Sequence, residues 1–320
     1  MKKSIFTLFF VTLVLFSDSF QVYAQEANKF FENSLSAFNS GDYDRAIVEA
    51  TQAIRINPNY AEAYNNRGAA YSYKGDYDKA IADFTQVIRI DPNFVGAYNN
   101  RGTAYSYKSD HDKAIADFTQ AIRIDPNNMA VYYNLATTYN NRGIIYYNKK
   151  NYDRAIDDFS QAIKFNPGIQ IVYVNRSTAY HDKGEYDKAI ADCTQAIRID
   201  PNSILAYFWR AFSYDKKGEY DKAIADYTQA IRIDPNVAEV YNGRAFTYLN
   251  KGEYDKAITD VNQAIKLDPN YANAYRHRGF AYMQKGNFSQ ARADTNKALQ
   301  FDPNNQKAKD LDAELRKMGY

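Results

Sequence analysis

The chain's eight prolines are spaced with a fixed period. Successive prolines are 34 residues apart, except for one interval of 41. The prolines are Pro58, Pro92, Pro126, Pro167, Pro201, Pro235, Pro269 and Pro303. A constant period of this length in a sequence with helical apolar spacing predicts a helical solenoid, in which each repeat is one helical hairpin.

Each repeat shows the same pattern when positions are counted from Ala61, so that Tyr64 is position 4 and Pro92 is position 32. Position 20 is Ala in every repeat and position 8 is always small. Small residues let two helices approach closely, so positions 8 and 20 should meet across a hairpin of helices A and B. Position 15 is usually Gly, followed by an acidic residue that can cap helix B. The Asn of the Asp-Pro-Asn turns is expected to cap the next helix A. The repeats are 27–60, 61–94, 95–128, 129–169, 170–203, 204–237, 238–271 and 272–305.

Two segments depart from the regular period. The fourth repeat has seven extra residues, 129–135, which predict a helix A that is two turns longer, keeps its packing face and projects beyond its neighbours at one rim. A neutral insertion is the alternative. Residues 306–320 form an amphipathic helix and tail that should cover the apolar face of the last repeat.

The pattern of an aromatic residue at positions 4 and 24, Tyr at 11 and Ala at 20 and 27 resembles the tetratricopeptide repeat family over residues 27–305. The resemblance implies an all-α fold, an α-α superhelical solenoid of about eight helical hairpins with a concave groove lined by the A helices, plus a C-terminal capping helix. Position 7 departs from the family, because it is Arg in seven repeats. Position 23 is always acidic, so we predict that Arg67 pairs with Asp83 and that its equivalents pair in the same way.

Residues 1–24 do not belong to the repeat. A basic start at Lys2 and Lys3, an apolar run over 5–16 and the small residues Val22 and Ala24 predict a secretory signal peptide with cleavage after Ala24. An uncleaved membrane anchor is the alternative, although the apolar run is shorter than the ~20 residues of a spanning helix. We therefore expect an exported protein, periplasmic or extracellular, without stable membrane insertion after cleavage.

Sequence motifs for catalysis are lacking. The chain has three His and one Cys, Cys193, which lies at a packing position. Its net charge is +2, and its Lys and Arg residues alternate with Asp at fixed positions. These features predict a non-enzymatic protein that uses no cofactor and no metal and does not bind nucleic acid.

Asparagines supply the first set of candidate ligand-binding residues. The family resemblance implies that positions 5 and 6 face the groove. Asn side chains both donate and accept, which suits the backbone of an extended peptide, whereas solubility or capping is the structural alternative. The candidates are Asn65, Asn66, Asn99, Asn100, Asn140, Asn141 and Asn175.

Aromatic residues follow downstream. Phe208, Trp209 and Phe212 occupy positions 5, 6 and 9, and Trp209 is the only Trp of the chain. They predict an apolar anchor pocket at the end of the asparagine track. The alternative is additional packing between successive A helices.

These features together predict a scaffold that binds an extended peptide or protein segment in its groove. The lysines of the family's carboxylate clamp are missing, since position 5 is Asn65, Asn99 and Val174 in successive regular repeats. Two alternatives stay open: an accessory subunit of an envelope or secretion complex, and a secreted effector that acts on host proteins.

Overall fold

The computed structural model describes the backbone of residues 2–320 and the side chains of residues 21–320. The predicted signal peptide, 1–24, therefore falls largely outside the described side chains. The chain consists of two compact units, unit 1 (Met1–Arg142) and unit 2 (Gly143–Tyr320). Among the described residues, no helix has both the length and the apolar character needed to cross a membrane.

Seventeen helices and their connecting turns account for the described residues. The helices are α1 (Lys2–Asn39), α2 (Tyr43–Ile56), α3 (Ala61–Tyr73), α4 (Tyr77–Ile90), α5 (Val95–Tyr107), α6 (His111–Ile124), α7 (Met129–Asn148), α8 (Tyr152–Phe165), α9 (Gln170–Asp182), α10 (Tyr186–Ile199), α11 (Ile204–Lys216), α12 (Tyr220–Ile233), α13 (Ala238–Lys251), α14 (Tyr254–Leu267), α15 (Ala272–Gln284), α16 (Phe288–Phe301) and α17 (Gln306–Lys317). Odd-numbered helices up to α15 are the A helices and even-numbered ones the B helices. The fold is all-α, with consecutive helical hairpins typical of a solenoid and about eight repeats plus a capping helix, as predicted.

Positions 8 and 20 meet in the first and last hairpins, as their small size predicts. The hydroxyl of Ser34 donates to the carbonyl oxygen of Ala46 at 2.7 Å. A methyl group at Gly279 would lie 3.2 Å from the carbonyl oxygen of Ala291. The two helices of a hairpin are thus in backbone contact at this level, which only small side chains permit.

Position 8 is also matched in size to position 24 of the same hairpin. Where position 8 is Gly102, the ring of Phe118 fills the space, and a methyl group added at Gly102 would lie 2.9 Å from that ring. Where position 8 is Ser177, position 24 is Cys193, whose thiol donates to the Ser177 hydroxyl at 3.1 Å. Tyr227 departs from this pairing, because it packs beside Gly243 of the following helix. In the hairpins of Gly102 and Ser177, a smaller residue at position 8 is therefore accompanied by a larger one at position 24.

The turns explain where the helices begin and end. Gly41 and the other position-15 glycines adopt φ of 75 to 81°, the left-handed conformation expected after a helix. Ser109 and Lys150 adopt this conformation without being glycine, at φ 61° and 58°. Asp42 and Asp110 cap the following B helices through their side chains.

The capping role predicted for the Asn after proline is wrong for the A helices. The N-cap of α5 is Phe94, one residue later. The backbone N–H of Asn93 instead donates to the carboxylate of Asp91 at 2.9 Å, and the same bond recurs at Asp200 and Asp268. The Asp of the Asp-Pro-Asn turn therefore accepts from the backbone N–H of the Asn two residues later. The residue after the Asn is then the N-cap of the next helix A.

Position-7 arginines in both units form the predicted ion pairs. Arg67 donates from Nε and Nη2 to both carboxylate oxygens of Asp83, at 2.8 and 2.7 Å. Its Nη1 donates to the hydroxyl of Thr51 on the preceding B helix at 3.1 Å. Each such arginine therefore connects three helices, which family members with an aliphatic residue here would not do. The other pairs are Arg101–Asp117, Arg176–Asp192, Arg210–Asp226, Arg244–Asp260 and Arg278–Asp294.

Helix α7 has 20 residues where the other A helices mostly have 13, so the predicted lengthening by two turns is confirmed. The predicted projection is wrong for unit 1, because Val131 and Leu135 are each 1% exposed. The reason is one of register. Residues 129–142 continue the 34-residue period of unit 1, so that Arg142 binds Asp112 as Lys108 binds Asp78 one repeat earlier.

The capping helix α17 closes the end of unit 2. Ala308, Leu311 and Leu315 are buried, the last two in a cluster with Met283 of α15 and Ala291 of α16. Asn305 caps the helix by accepting from the backbone N–H of Ala308 at 3.1 Å. The apolar face of the last repeat is thereby covered, as the sequence predicts.

Candidate functional site

The asparagines of unit 1 bond to one another along successive A helices. Asn100 donates to the Oδ1 of Asn65 at 3.1 Å, and Asn134 donates to the Oδ1 of Asn99 at 2.9 Å. Each bond uses one donor and one acceptor, so each amide retains hydrogen-bonding capacity toward the outside. Asn134, which the sequence analysis did not single out, takes the place expected for Asn141. Counting 34 residues from Asn100 would have identified it.

The remaining asparagine candidates lie in different surroundings. Asn66 is buried, and its amide donates to the hydroxyl of Ser34 at 2.7 Å. Asn66 is thus part of the packing between α1 and α3, a role different from both peptide binding and the alternative of solubility or capping. Asn140 and Asn175 are half-buried, whereas Asn141 is exposed.

Two cavities open on the A helices of unit 1. One, of about 470 Å³, is lined by Asn99 and Asn100 together with Tyr73 and Tyr107. The second, of about 290 Å³, is lined by Asn134 and Asn141 and by the hydroxyls of α5 and α7. Amide and hydroxyl groups predominate among their polar side chains. Unit 1 therefore offers a neutral, hydrogen-bonding surface on its A helices.

A third cavity, of about 390 Å³, lies in unit 2 and is more aromatic. Its walls include Phe208 and Phe212 of α11 and Phe246 of α13. The rings of Phe208 and Phe212 are 6.4 Å apart, and Phe208 packs edge-on against Tyr227 at 5.7 Å. Two of the three predicted aromatic residues are thus placed together at a cavity. We call it the aromatic cavity.

Trp209 is in a different position. Its indole packs on the buried cluster formed by Tyr173, Val174 and Ala206 and lies 5.6 Å from the ring of His181. It does not line the aromatic cavity. Trp209 therefore fills the space between α9 and α11, as the packing alternative supposed.

The aromatic cavity also holds polar residues that the sequence analysis did not single out as ligand-binding. The Nε2 atom of His277 accepts from Arg276, and its Nδ1 lies 2.8 Å from the Oδ1 of Asn242. The amide of Asn242 donates to the hydroxyl of Tyr271 at 3.2 Å. Burial and the charges of Arg276 and Lys307 lower the pKa of His277 well below its ordinary value, so the ring is neutral.

Two further observations concern reactive and metal-binding groups of the described residues. Burial raises the pKa of the Cys193 thiol to about 12, so that it is protonated and unreactive at neutral pH. No group of three or more His, Cys, Asp or Glu side chains within the described part of the chain could hold a metal ion.

Comparison with protein families shows where the chain belongs. The tetratricopeptide repeat model matches residues 61–94, 95–128, 136–168 and 272–305. A second model, described as TPR repeat, matches 37–75, 178–218, 214–252 and 247–286. Together they cover most of the chain. Comparison with curated protein sequences gave no match.

Solved structures with this fold include the C-terminal part of a TPR repeat-containing protein from Cytophaga hutchinsonii, at 20% identity and a TM-score of 0.55, covering 88% of this chain and 98% of that one. The Cut9–Hcn1 hetero-tetramer of the APC/C matches at 17% identity and a TM-score of 0.50, over 85% of this chain and 52% of that one. MamA matches at 27% identity and a TM-score of 0.46, over 54% of this chain and 94% of that one. The first two likenesses bear on the fold alone. With the family models over most of its length and the helical hairpins they describe, the chain belongs to the tetratricopeptide repeat family, whose members generally serve as protein–protein interaction scaffolds.

Proposed function

We propose that this chain is a non-enzymatic scaffold whose A helices bind an extended segment of a partner protein. The observation that carries the proposal is that A helices supply most of the side chains lining the cavities of about 290, 390 and 470 Å³. Such a surface suits an extended polypeptide, whose side chains can occupy the cavities and whose backbone can bond to the remaining donors and acceptors.

Unit 1 is proposed to hold the backbone of the partner. The Asn65–Asn100 and Asn99–Asn134 pairs leave donors and acceptors that match those of a peptide bond. Such contacts depend little on the partner's side chains. Asn141 adds an exposed amide at the neighbouring cavity.

Unit 2 is proposed to supply specificity. Phe208, Phe212 and Phe246 form an apolar wall that can receive a large side chain of the partner, and buried aromatic anchors of this kind dominate binding energy in protein interfaces. Phe246 thereby joins the predicted anchor set in place of Trp209.

Export is part of the proposal and is supported by the composition of residues 1–24. The scaffold would then act in the periplasm or outside the cell. Gel filtration of native extract separates the alternatives: a free monomer supports an adaptor, and a stable large assembly supports a subunit of an envelope or secretion complex. Recovery of the chain with host proteins would instead support a secreted effector.

A display library of random peptides, panned against the purified chain, tests the binding proposal. Selected peptides should bind the wild-type chain and lose at least about tenfold in affinity on Phe246→Ala, the cost of an anchor residue. Thr259→Ala, at an exposed position of α14, is the matched control and should leave binding unchanged. Equal losses in both variants, or failure to select any peptide, would contradict the proposal.

A further inference from the structure

Three cationic side chains from three separate helices line the aromatic cavity. They are Lys216 of α11, Arg276 of α15 and Lys307 of α17, and the accompanying acidic side chain is Glu239. None of the three cations forms an ion pair within the described part of the chain. By contrast, Arg278, two residues after Arg276, is held by both carboxylate oxygens of Asp294. The cavity therefore has an excess of positive charge that the chain itself does not neutralise.

Arg276 is held in place by neutral partners. Its guanidinium donates to the Nε2 of His277, which leaves the proton on Nδ1 to donate to Asn242. Asn242 in turn donates to Tyr271. This chain of bonds fixes the guanidinium at the cavity, and it contains no carboxylate.

The Arg276 guanidinium also lacks some of the hydrogen-bond partners that it could have. Its Nε atom is buried and has no hydrogen-bond partner, and burial lowers the pKa of Arg276. A partly buried charge without a counter-charge is costly to a folded protein. An anion from outside the chain, bound at the accessible part of the guanidinium, would neutralise it.

The aromatic walls restrict what that anion can be. Phe246 stacks on His277 at 5.2 Å, so apolar surface lies directly beside the guanidinium. A small inorganic anion would leave this surface unfilled. An acidic side chain next to an apolar side chain would match both the cations and the aromatic wall. Because the cations come from three helices, they suit several carboxylates along a segment better than one C-terminal carboxylate.

We propose that the aromatic cavity recognises an internal acidic–apolar segment of the partner protein, with carboxylate side chains bound at Arg276, Lys216 and Lys307 and an apolar side chain against Phe208, Phe212 and Phe246. This inference rests on the proposed scaffold function and names the chemistry of its partner.

The test uses fluorescein-labelled peptides with blocked termini, one with the core Glu-Phe-Leu-Glu and one with Gln-Phe-Leu-Gln, titrated into the full chain with fluorescence polarisation as readout. The acidic peptide should bind at least about tenfold more tightly, the value of a charge-assisted bond. Arg276→Gln and Lys307→Gln should each abolish most of this preference. Arg232→Gln, an exposed arginine of α12 that removes the same charge, is the matched control and should preserve it.

Equal binding of the two peptides would overturn the inference, and so would an equal loss with Arg232→Gln, which would indicate long-range attraction only. A third peptide, with the Gln core and a free C-terminus, tests the other source of a carboxylate; tighter binding of this peptide than of the acidic one would also overturn it. Circular dichroism of each variant establishes that the fold is retained. If display-selected peptides bind without acidic preference, this inference fails while the scaffold function stands; if no peptide binds, the scaffold function itself fails.

Discussion

Replacing Arg210 with Met tests whether the position-7 arginines hold the repeats together. The guanidinium makes two bonds of 2.7 Å to Asp226 and a third of 3.1 Å to Thr194. The side chains of Arg210 and Asp226 are 17% and 10% exposed. The Met side chain keeps much of the packing on Tyr207 but leaves the carboxylate of Asp226 buried without its partner.

Breaking a buried pair in this way costs about 3–5 kcal/mol, and the residual exposure places Arg210→Met toward the lower end, at about 3 kcal/mol. The control is Lys217→Met, which removes the pairs of Lys217 with Asp187 and with Glu219. The Asp187 side chain is 84% exposed and Glu219 keeps its pair with Lys222, so this change should cost only about 0.5–1 kcal/mol.

Urea unfolding followed by the fluorescence of Trp209 measures both variants, because this single Trp lies beside Arg210 in α11. Repeat arrays can unfold in steps, so a local probe is preferable to total helicity. With a slope of about 3 kcal/mol per M, Arg210→Met should lower the midpoint by roughly 1 M.

A second variant separates loss of the pair from loss of packing. Adding Asp226→Leu to Arg210→Met removes the stranded carboxylate and should recover most of the lost stability. Equal midpoints for Arg210→Met and Lys217→Met would refute the view that these pairs are major contributors to the stability of the array.

Three further predictions concern single positions. Ser109→Gly should raise the free energy of unfolding by about 1 kcal/mol, because Ser109 has φ 61° and only Gly adopts that conformation without strain; thermal unfolding measures it. Since burial depresses the pKa of His277, wild-type stability should fall as the pH drops below about 6.5, where the unfolded His takes up a proton, and this fall should be smaller in His277→Gln. Gly102→Ala should lower stability by up to about 2 kcal/mol, because the new methyl group would meet the Phe118 ring at 2.9 Å, and addition of Phe118→Val should reverse much of the loss.

The hairpins and their ion pairs could be predicted because the chain repeats them. A small residue at position 8 in every repeat, and an acidic residue at position 23 opposite Arg at position 7, are each seen many times in one sequence. The repeated occurrence of matching residue types at two positions indicated that these positions are in contact. The bond of Arg67 to Thr51 was missed, since it joins neighbouring repeats and not the two helices of one hairpin.

The long helix α7 and the aromatic cavity show where the sequence was insufficient. With 129–135 counted as an insertion, Asn141 becomes the predicted equivalent of Asn100. In the structure the equivalent residue is Asn134, because unit 1 continues its 34-residue period. The cavity cations occupy positions 13, 5 and 2 of different helices, so no single repeat reveals them. Their grouping depends on how α11, α13, α15 and α17 stack, which is a property of the folded unit.

The central claim, that the A helices bind a partner segment, is tested most directly by photo-cross-linking in the native cell. A photoreactive residue is placed at position 246, in the wall of the aromatic cavity, and for comparison at position 225, an exposed site on α12. If the A helices bind the segment, position 246 should give a discrete cross-linked partner whose yield falls with Arg276→Gln, and position 225 should give none. Products from position 225 with none from position 246 would contradict it, because binding would then take place on the B helices.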